Sequence, residues 1–278
     1  MRRIRSIQII FLLLLLCYHI CIGIFPLEVT MIRAILAFIF AVLFLIISLP
    51  VYFISWLIGR KKPKALAKFS QRFISLGLKG ISLICCVKLE VKGLDQIDPD
   101  GTYLYIANHA SIFDVILGYP VLPTQTGFLA KKELRKVPIL GMWLERCGGL
   151  FLDRKNPKQG LQVILTAIDQ VKAGQSVFIF PEGTRTKDGN LNEFKAGSFK
   201  VATRTDCPIV PIAMTHTADI VRKHIPFVKS TKVTIQFGQP IRPSQLDPED
   251  KKHIGVYMQS RVQKMLDDSN TVGEIPHL

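Results

Sequence analysis

Asn108-His109-Ala110-Ser111-Ile112-Phe113-Asp114 is the stretch around which the rest of the sequence is organised. It follows the run 103–107, whose short series of aromatic and aliphatic residues predicts a buried strand. The apolar run 112–121 predicts a helix. His109 is therefore expected at a strand-to-helix junction, where the first N–H groups of the helix have no partners and can face a ligand.

The spacing of His109 and Asp114 limits how their side chains can meet. Residues five apart do not share a face of one continuous helix, whereas residues three or four apart do. Contact therefore requires His109 just outside the helix and Asp114 in its first turns. A carboxylate that accepts a hydrogen bond from one imidazole nitrogen leaves the other nitrogen as a base. The same stretch also fits a capping asparagine, a surface histidine and an acidic residue at a helix start.

The composition favours a membrane over a nucleic acid as partner. The chain has 278 residues, a formal charge of +15 and a sequence pI of about 9.7, which suits nucleic acid, an anionic membrane or acidic substrates. Its N-terminal part is strongly apolar, and it carries neither an RNA-binding aromatic signature nor Cys/His finger spacing. Six cysteines without a CxxC pair give no basis for structural zinc. Neither a nucleic-acid partner nor a metal is expected.

Residues 1–60 are predicted to form a membrane anchor with two apolar segments, 7–25 and 32–58. Basic residues lie at both outer ends, which predicts a helical hairpin in the cell membrane with the rest of the chain on the cytoplasmic face. Three alternatives stay open. The first segment is a signal peptide, the second lies in the membrane surface around Pro50 without crossing, or Met31 is the true start.

Residues 61–84 predict a basic amphipathic helix at the membrane interface. Leu66, Phe69, Phe73 and Leu76 recur at three- and four-residue steps, and basic residues lie on the other side. Each basic residue near an anionic surface contributes about 1 kcal/mol of attraction. An ordinary core-packing helix has the same pattern.

From residue 87 onward strand and helix patterns alternate, which predicts an α/β domain with a mostly parallel or mixed sheet flanked by helices. The domain is predicted over 85–245, and a C-terminal helix and tail over 246–278, with Pro248 at the first helical position. The predicted strands are 87–91, 103–107, 127–130, 150–152, 176–180, 209–213 and 233–237, and the predicted helices between them are 112–121, 139–146, 158–172 and 194–203.

Three loops at the carboxyl ends of predicted strands carry residues suited to anions, at the edge where open α/β sheets bind ligands. The first contains Lys131 and Lys132, which in isolation indicate only a solvated loop. The second is 148–154, in which Arg154 offers a planar fork that suits phosphate. The third, 180–186, places a carboxylate and a guanidinium in one tight turn, which can hold a polyol and a phosphate together. A surface ion pair within either of the last two loops is the simpler alternative.

Together with the stretch around His109, these loops resemble the 1-acylglycerol-3-phosphate acyltransferases (lysophosphatidic acid acyltransferases) of glycerolipid synthesis. Four motifs match in order: Asn-His-x-x-x-x-Asp at Asn108, His109 and Asp114; Gly-x-x-Phe-Ile-x-Arg at Gly148, Phe151 and Arg154, with Leu152 in place of Ile; Phe-Pro-Glu-Gly-Thr-Arg at 180–185; and a Val-Pro strand at Val210-Pro211-Ile212. The similar region runs from residue 87 to 242, and its single departure from the motifs is conservative.

The resemblance implies transfer of an acyl group from a thioester to the sn-2 hydroxyl of 1-acyl-sn-glycerol 3-phosphate, giving phosphatidic acid. His109 would be the general base, oriented by Asp114, and N–H groups at the start of the following helix are expected to stabilise the oxyanion. No Gly-x-Ser-x-Gly elbow presents a serine nucleophile, which agrees with transfer without an acyl-enzyme. The residues predicted to bind substrate are Asn108, Ser111, Lys131, Gly148, Phe151, Arg154, Glu182, Gly183, Thr184 and Arg185.

The expected partners are lysophosphatidic acid, an acyl-CoA or acyl carrier protein as acyl donor, and a phospholipid membrane, with no further cofactor. Three other functions fit parts of the pattern: an acyltransferase acting on another lysolipid such as a lyso-aminolipid, a non-catalytic membrane-anchored lipid-binding module, and a membrane-tethered hydrolase. The pair of His109 and Asp114 argues against the binding module, because a binder needs neither side chain.

Overall fold

The computed structural model describes residues 26–186, 189–221 and 227–273. Seven strands in these residues form one sheet. They are β1 (Lys88–Lys92), β2 (Leu104–Ala107), β3 (Thr126–Lys131), β4 (Leu150–Leu152), β5 (Ser176–Ile179), β6 (Ile209–Thr215) and β7 (Lys232–Phe237). Each coincides with a predicted strand to within two residues, because short apolar runs between turn signals are typical of buried strands.

Eight α-helices flank the sheet in the described part of the chain. They are α1 (Pro26–Gly59), α2 (Pro63–Ile84), α3 (Phe113–Gly118), α4 (Leu140–Arg146), α5 (Pro157–Lys172), α6 (Lys200–Thr205), α7 (Pro248–Lys252) and α8 (Ile254–Gly273). Short 3₁₀ helices link several of these elements, at Leu94–Gln96, Tyr119–Val121, Lys132–Lys136, Ala196–Phe199, Thr217–Ile220 and Pro243–Gln245.

The strand order is β1-β7-β6-β2-β5-β3-β4. Strand β2 is parallel to both β5 and β6, and β3 is parallel to β5 and β4, whereas β7 runs antiparallel to β6. The prediction of a mostly parallel or mixed sheet is confirmed. Because β2 to β6 all point the same way, their carboxyl ends meet at one edge of the sheet, which we call the carboxyl edge.

The sheet separates two hydrophobic cores, and the central strand β2 contributes to both. Leu104 and Ile106 face the core that α5, α6 and α8 cover, whereas Tyr105 and Ala107 face the core that α1 to α4 cover. All four are fully buried, as expected where successive side chains of a central parallel strand point to opposite packed faces. This burial on both faces fixes the position of the residues that follow β2.

Helices α1 and α2 pack against each other as an antiparallel pair. A Cβ atom on Gly77 would lie 2.5 Å from the Phe44 ring, and one on Gly80 would lie 2.4 Å from the Phe40 ring, so the two glycines admit the phenylalanines of α1. The predicted apolar segment 32–58 lies within α1, whereas the segment 7–25 lies outside the described residues.

Helix α1 continues through Pro50 without a break, although a proline removes one backbone hydrogen bond of the helix. Of the described residues, Val29–Gly59 are long and apolar enough to cross a membrane. The predicted basic amphipathic helix is present as α2 and begins at Pro63, as a proline at the first helical position favours.

Candidate active site

His109 and Asp114 meet at the carboxyl edge, immediately after β2. The imidazole Nδ1 lies 2.8 Å from Asp114 Oδ2. His109 is outside the helix and Asp114 is the second residue of α3, which is the arrangement that the five-residue spacing requires. Because a carboxylate only accepts hydrogen bonds, Nδ1 carries the proton and Nε2 presents its lone pair.

The carboxylate of Asp114 is fully buried and receives four donors. Besides the imidazole, Oδ2 accepts hydrogen bonds from the backbone N–H groups of Ala110 and Ser111, each at 2.7 Å. The other oxygen, Oδ1, accepts a short hydrogen bond from the hydroxyl of Thr217. These donors replace the water that burial removes from the carboxylate, and they hold it in one orientation toward His109.

The backbone of His109 is also fixed, by the loop that follows β5. Its N–H donates to Glu182 Oε1 at 2.5 Å, and its carbonyl accepts from the N–H of Thr186 at 2.8 Å. The ring of Phe180 stacks on the imidazole with centroids 4.0 Å apart and an 8° angle between planes. Main chain and ring of His109 are therefore held by different groups, and the imidazole retains 14% exposure of its side chain.

Glu182 is buried between His109 and the segment that follows the loop. Its second oxygen, Oε2, accepts from the backbone N–H of Asn192 at 3.0 Å and from the Asn192 side-chain amide at 2.8 Å. Burial raises the pKa of the Glu182 carboxyl, and the hydrogen bonds from His109 and Asn192 oppose that rise. Both carboxylate oxygens accept from protein donors and Glu182 is 2% exposed, so the structure places this side chain in the support of His109.

Asn108 and Ser111 are similarly occupied. The amide of Asn108 pairs with the backbone of Met214 on β6 through two hydrogen bonds of 2.9 and 2.8 Å. The Ser111 hydroxyl accepts from the N–H of Phe113 at 3.3 Å. Both side chains are buried, so the structure places these two predicted substrate-binding residues in the support of the site and not on its open side.

The turn after His109 offers fewer free N–H groups than the sequence suggests. The N–H groups of Ala110 and Ser111 donate to Asp114, and that of Phe113 donates to Ser111. The expectation that N–H groups at this helix start stabilise an oxyanion is wrong for these three residues, because the carboxylate of the first turn and a serine hydroxyl already accept from them.

Gly148 lies at the opposite edge of the sheet from His109. It precedes β4, its φ is +84°, and a Cβ atom there would lie 1.8 Å from Gln175 Nε2. It follows Cys147, the C-cap of α4, a position where helices commonly end in a left-handed glycine. The structure therefore does not bring Gly148 to the site. Phe151 lies within β4, half-buried, with the Arg135 guanidinium 6.0 Å from its ring centroid.

The predicted anion-binding residues line the carboxyl edge on the side of β3 and β4. Lys131, Arg154, Thr184 and Arg185 are exposed, and Gly183 adopts a φ of +72° in the turn after β5. Lys131 pairs with Glu133 at 3.5 Å, and Lys132 pairs with Asp153 at 2.5 Å. Because Asp153 pairs with Lys132, it is not the partner of Arg154. Arg154 forms no ion pair with another described residue. The Arg154 loop is three strands from that of His109, about 14 Å at ~4.8 Å per strand.

The sequence predicted no role for four residues of the site: Thr217, Asn192, Lys195 and Thr186, the last residue of the predicted loop 180–186. The side chain of Lys195 approaches Gly183, since a Cβ atom there would lie 2.9 Å from its Nζ. Thr186 follows a predicted motif directly, so extending that motif by one residue would have included it. The other three depend on tertiary contacts across 10 or more residues, for which the sequence carries no local signal. No group of three or more His, Cys, Asp or Glu side chains in the described segments is arranged to hold a metal.

Comparison with known proteins agrees with this geometry. Residues 88–215 match the Acyltransferase family model. The chain is 33% identical over 153 residues to a chloroplastic 1-acyl-sn-glycerol-3-phosphate acyltransferase of Brassica napus, covering 54% of the chain and 44% of that relative. It is 28% identical over 194 residues to the 1-acyl-sn-glycerol-3-phosphate acyltransferase of Borreliella burgdorferi, covering 70% and 75%. The match thus spans about half or less of the plant relatives' length.

A solved structure extends the likeness beyond the matched domain. The crystal structure of the 1-acyl-sn-glycerophosphate acyltransferase PlsC from Thermotoga maritima superposes with a TM-score of 0.67 at 25% identity, covering 86% of this chain and 98% of that one. This overlap includes helices outside residues 88–215, since the domain model covers less of the chain. Residues 88–215 thus match the acyltransferase family, and the proteins to which this chain is similar are 1-acyl-sn-glycerol-3-phosphate acyltransferases.

Proposed function

We propose that this protein transfers an acyl group from an acyl thioester to the sn-2 hydroxyl of 1-acyl-sn-glycerol 3-phosphate and so makes phosphatidic acid. The observation that supports this most is the partly exposed imidazole of His109, with Nδ1 held 2.8 Å from a buried carboxylate. The relatives named as 1-acyl-sn-glycerol-3-phosphate acyltransferases support the choice of acceptor.

The proposed reaction is a direct transfer. His109 Nε2 takes the proton of the acceptor hydroxyl as its oxygen attacks the thioester carbonyl carbon. The tetrahedral intermediate collapses, the carbon–sulfur bond breaks, and the imidazolium returns its proton to the thiolate. Asp114 stabilises the imidazolium that forms between these two proton transfers. The products are an ester and a free thiol, so coenzyme A or acyl carrier protein leaves unchanged except for its acyl group.

The cations of the carboxyl edge fit the acidic ends of both substrates. Arg185 lies three residues after Glu182, which contacts His109 directly, so it is placed nearest to a phosphate whose glycerol hydroxyl reaches Nε2. Lys131 and Arg154 lie further along the edge, on β3 and beyond β4. We assign Arg185 to the acceptor phosphate and retain Lys131 and Arg154 as predicted phosphate ligands.

Membrane attachment through α1 supports a lipid acceptor. Met31, Ile35, Phe53 and Leu57 are exposed along one face of α1, together with ten further large apolar side chains of this helix. Fourteen exposed apolar residues on one element far exceed what a water-facing helix carries. We propose that this face lies in the cell membrane and holds the carboxyl edge at the cytoplasmic lipid surface.

The test is thioester turnover by purified protein with a panel of lysolipids. His109→Ala should lower kcat on the order of 10³-fold, since it removes the general base, while the protein stays folded by circular dichroism. His253→Ala is the matched control, because His253 is an exposed histidine that also pairs with an acid, Glu249 at 3.2 Å. The control should keep full turnover.

The panel distinguishes the other functions. Faster turnover with a lyso-aminolipid than with lysophosphatidic acid would replace the acceptor, and release of free fatty acid without any acceptor would indicate a hydrolase. Near-normal turnover by His109→Ala would remove His109 from the mechanism.

A further inference from the structure

A cavity lies at the amino edge of the sheet, away from His109. It has a volume of about 290 Å³ and is bounded by α2 and by the segment 120–125 that leads into β3. Strand β3 runs from this segment toward the carboxyl edge, so the full length of the strand separates the cavity from the end of the sheet that carries His109.

The charge of this cavity is positive and uncompensated. Lys68, Arg72 and Lys79 line it, and no acidic residue does. The steps of four and seven residues place all three on one face of α2. None of them forms an ion pair with another described residue. Cations that line one cavity repel one another unless an anion joins them, and a phosphate group with several oxygens meets that need.

The border of the cavity is apolar. Leu76 lines it and is 64% exposed, and it belongs to a row of exposed side chains on α2 with Phe69 and Leu83. Residues seven apart lie on nearly the same side of a helix, so this row runs along α2 next to the cations. A ligand that fills the cavity with an anionic group and continues along this row must carry a hydrocarbon chain.

The wall of the cavity opposite α2 is held rigidly. Gln71 donates from Nε2 to the Thr124 carbonyl at 2.9 Å and accepts from the Thr126 N–H at 2.8 Å. The hydroxyl of Thr124 contacts those of Ser176 and Tyr105, at 2.8 and 3.0 Å. These buried contacts fix the cavity to β2, β3 and β5, so a ligand meets a preformed shape and loses little affinity to ordering.

We infer that this cavity binds the phosphate headgroup of an anionic phospholipid from the surrounding membrane, with an acyl chain along Phe69, Leu76 and Leu83. The site is separate from the proposed acyl transfer and does not require it. Free inorganic phosphate shares the headgroup chemistry but makes no use of the apolar row, which allows an experiment to distinguish the two sources.

The test measures the melting temperature of the full chain in neutral detergent during titration with phosphatidylglycerol, phosphatidylcholine or inorganic phosphate, because a ligand of the native state raises it. Phosphatidylglycerol should raise it and phosphatidylcholine should not. Combined Lys68→Gln, Arg72→Gln and Lys79→Gln should weaken apparent affinity on the order of a hundredfold, about fivefold for each cation. Leu76→Ala should weaken the response to phosphatidylglycerol and leave any response to phosphate unchanged.

A control triple carries the same loss of charge. Lys172→Gln, Lys200→Gln and Arg204→Gln change exposed residues on the other face of the sheet. This control should keep the response of the wild type. An equal loss in the control, or a response to inorganic phosphate as large as that to phosphatidylglycerol, would overturn the inference. If the cavity triple does not fold, each single variant should still weaken binding about fivefold.

Discussion

The Nδ1 atom, the main chain and the ring face of His109 each contact different residues, and none of these contacts occupies Nε2. Asp114 fixes the tautomer, Glu182 and Thr186 fix the main chain, and Phe180 fixes the plane of the ring. An imidazole held this way loses little entropy when a substrate hydroxyl arrives, which is the contribution that positioning makes to catalysis.

Glu182→Ala should lower kcat on the order of a hundredfold and leave KM for the lysolipid within about twofold, because the change releases the backbone of His109 without removing a substrate contact. Steady-state kinetics against acceptor concentration provide the measurement. Glu182→Gln should lose less, since its amide oxygen can still accept either from the His109 N–H or from the two donors of Asn192. A rise in KM with unchanged kcat would show that Glu182 binds the acceptor, as its motif predicts, and not His109.

The Glu182 carboxyl should also make the free energy of unfolding depend on pH. Burial raises the pKa of Glu182, so the folded state binds its proton more tightly than the unfolded state. Its contribution to stability is therefore greatest at low pH and is lost as pH rises through the folded-state pKa. Urea unfolding of both proteins across this range should show that the stability of the wild type relative to Glu182→Gln declines as pH rises.

For individual residues, the sequence predicted which side chains lie near one another. It did not predict the groups to which each side chain is hydrogen-bonded. The family motif implied the pairing of His109 and Asp114, and their spacing set the condition that His109 lies just outside the helix. Asn108, Ser111 and Glu182 were predicted to bind substrate, and the structure shows all three hydrogen-bonded to protein groups. The partners of Asn108 and Glu182 lie 106 and 73 residues away, and pairing over such distances depends on strand order, which local patterns do not contain.

The turn between α4 and β4 contains Gly148, a residue of the second predicted motif that shapes the fold. Gly148→Ala should lower the free energy of unfolding by about 1–3 kcal/mol, since a side chain at φ +84° is strained and would displace Gln175. Thermal or urea unfolding measures this. KM of the folded protein should not change.

Gly160→Ala in α5 should have the opposite effect on the free energy of unfolding. Gly160 lies in the first turns of α5, where a Cβ atom meets only Leu152 at an ordinary 3.5 Å. Alanine there should stabilise by up to about 1 kcal/mol through its better helix propensity. If Gly148→Ala instead raised KM for the lysolipid without a loss of stability, Gly148 would belong to the substrate site.

Strands were predicted closely, whereas several helix boundaries differ, and the helix predicted over 112–121 ends at Gly118 and continues as a 3₁₀ turn. Ile139, predicted as the first residue of a helix, adopts φ +65° and forms a tight turn through Leu140 N–H and the Pro138 carbonyl, so α4 begins at Leu140. The helix predicted over 194–203 is a 3₁₀ turn followed by α6, which ends later, at Thr205. The last helix divides at His253 into α7 and α8. Backbone geometry of this kind is decided by packing and not by apolar periodicity.

In the whole molecule, the exposed apolar side chains of α1 form one face that is suited to lipid. Helix α1 contacts the rest of the protein from Thr30, whose carbonyl accepts from Val228, to Ser55, whose hydroxyl accepts from Arg146. That interval spans about 38 Å at 1.5 Å per residue. A helix attached along such a length cannot cross a bilayer without taking the domain with it. The contacts thus favour the alternative in which this segment lies in the membrane surface.

Labelling of introduced cysteines tests this orientation. Thr30→Cys and Lys61→Cys, at the two ends of α1, should both react in intact vesicles with an impermeant maleimide added on the side of the domain. Lys251→Cys on the domain provides the reference for that side. Reaction of one end only from the opposite side would establish a crossing helix.

Thr217 and Met214 lie more than 100 residues after the histidine stretch that they support, through Asp114 and Asn108. During synthesis, the early helices therefore leave the ribosome and can reach the bilayer well before β6 exists. If α1 attaches to the membrane as we propose, the nascent protein should bind lipid before β6 inserts beside β2 and completes the support of His109.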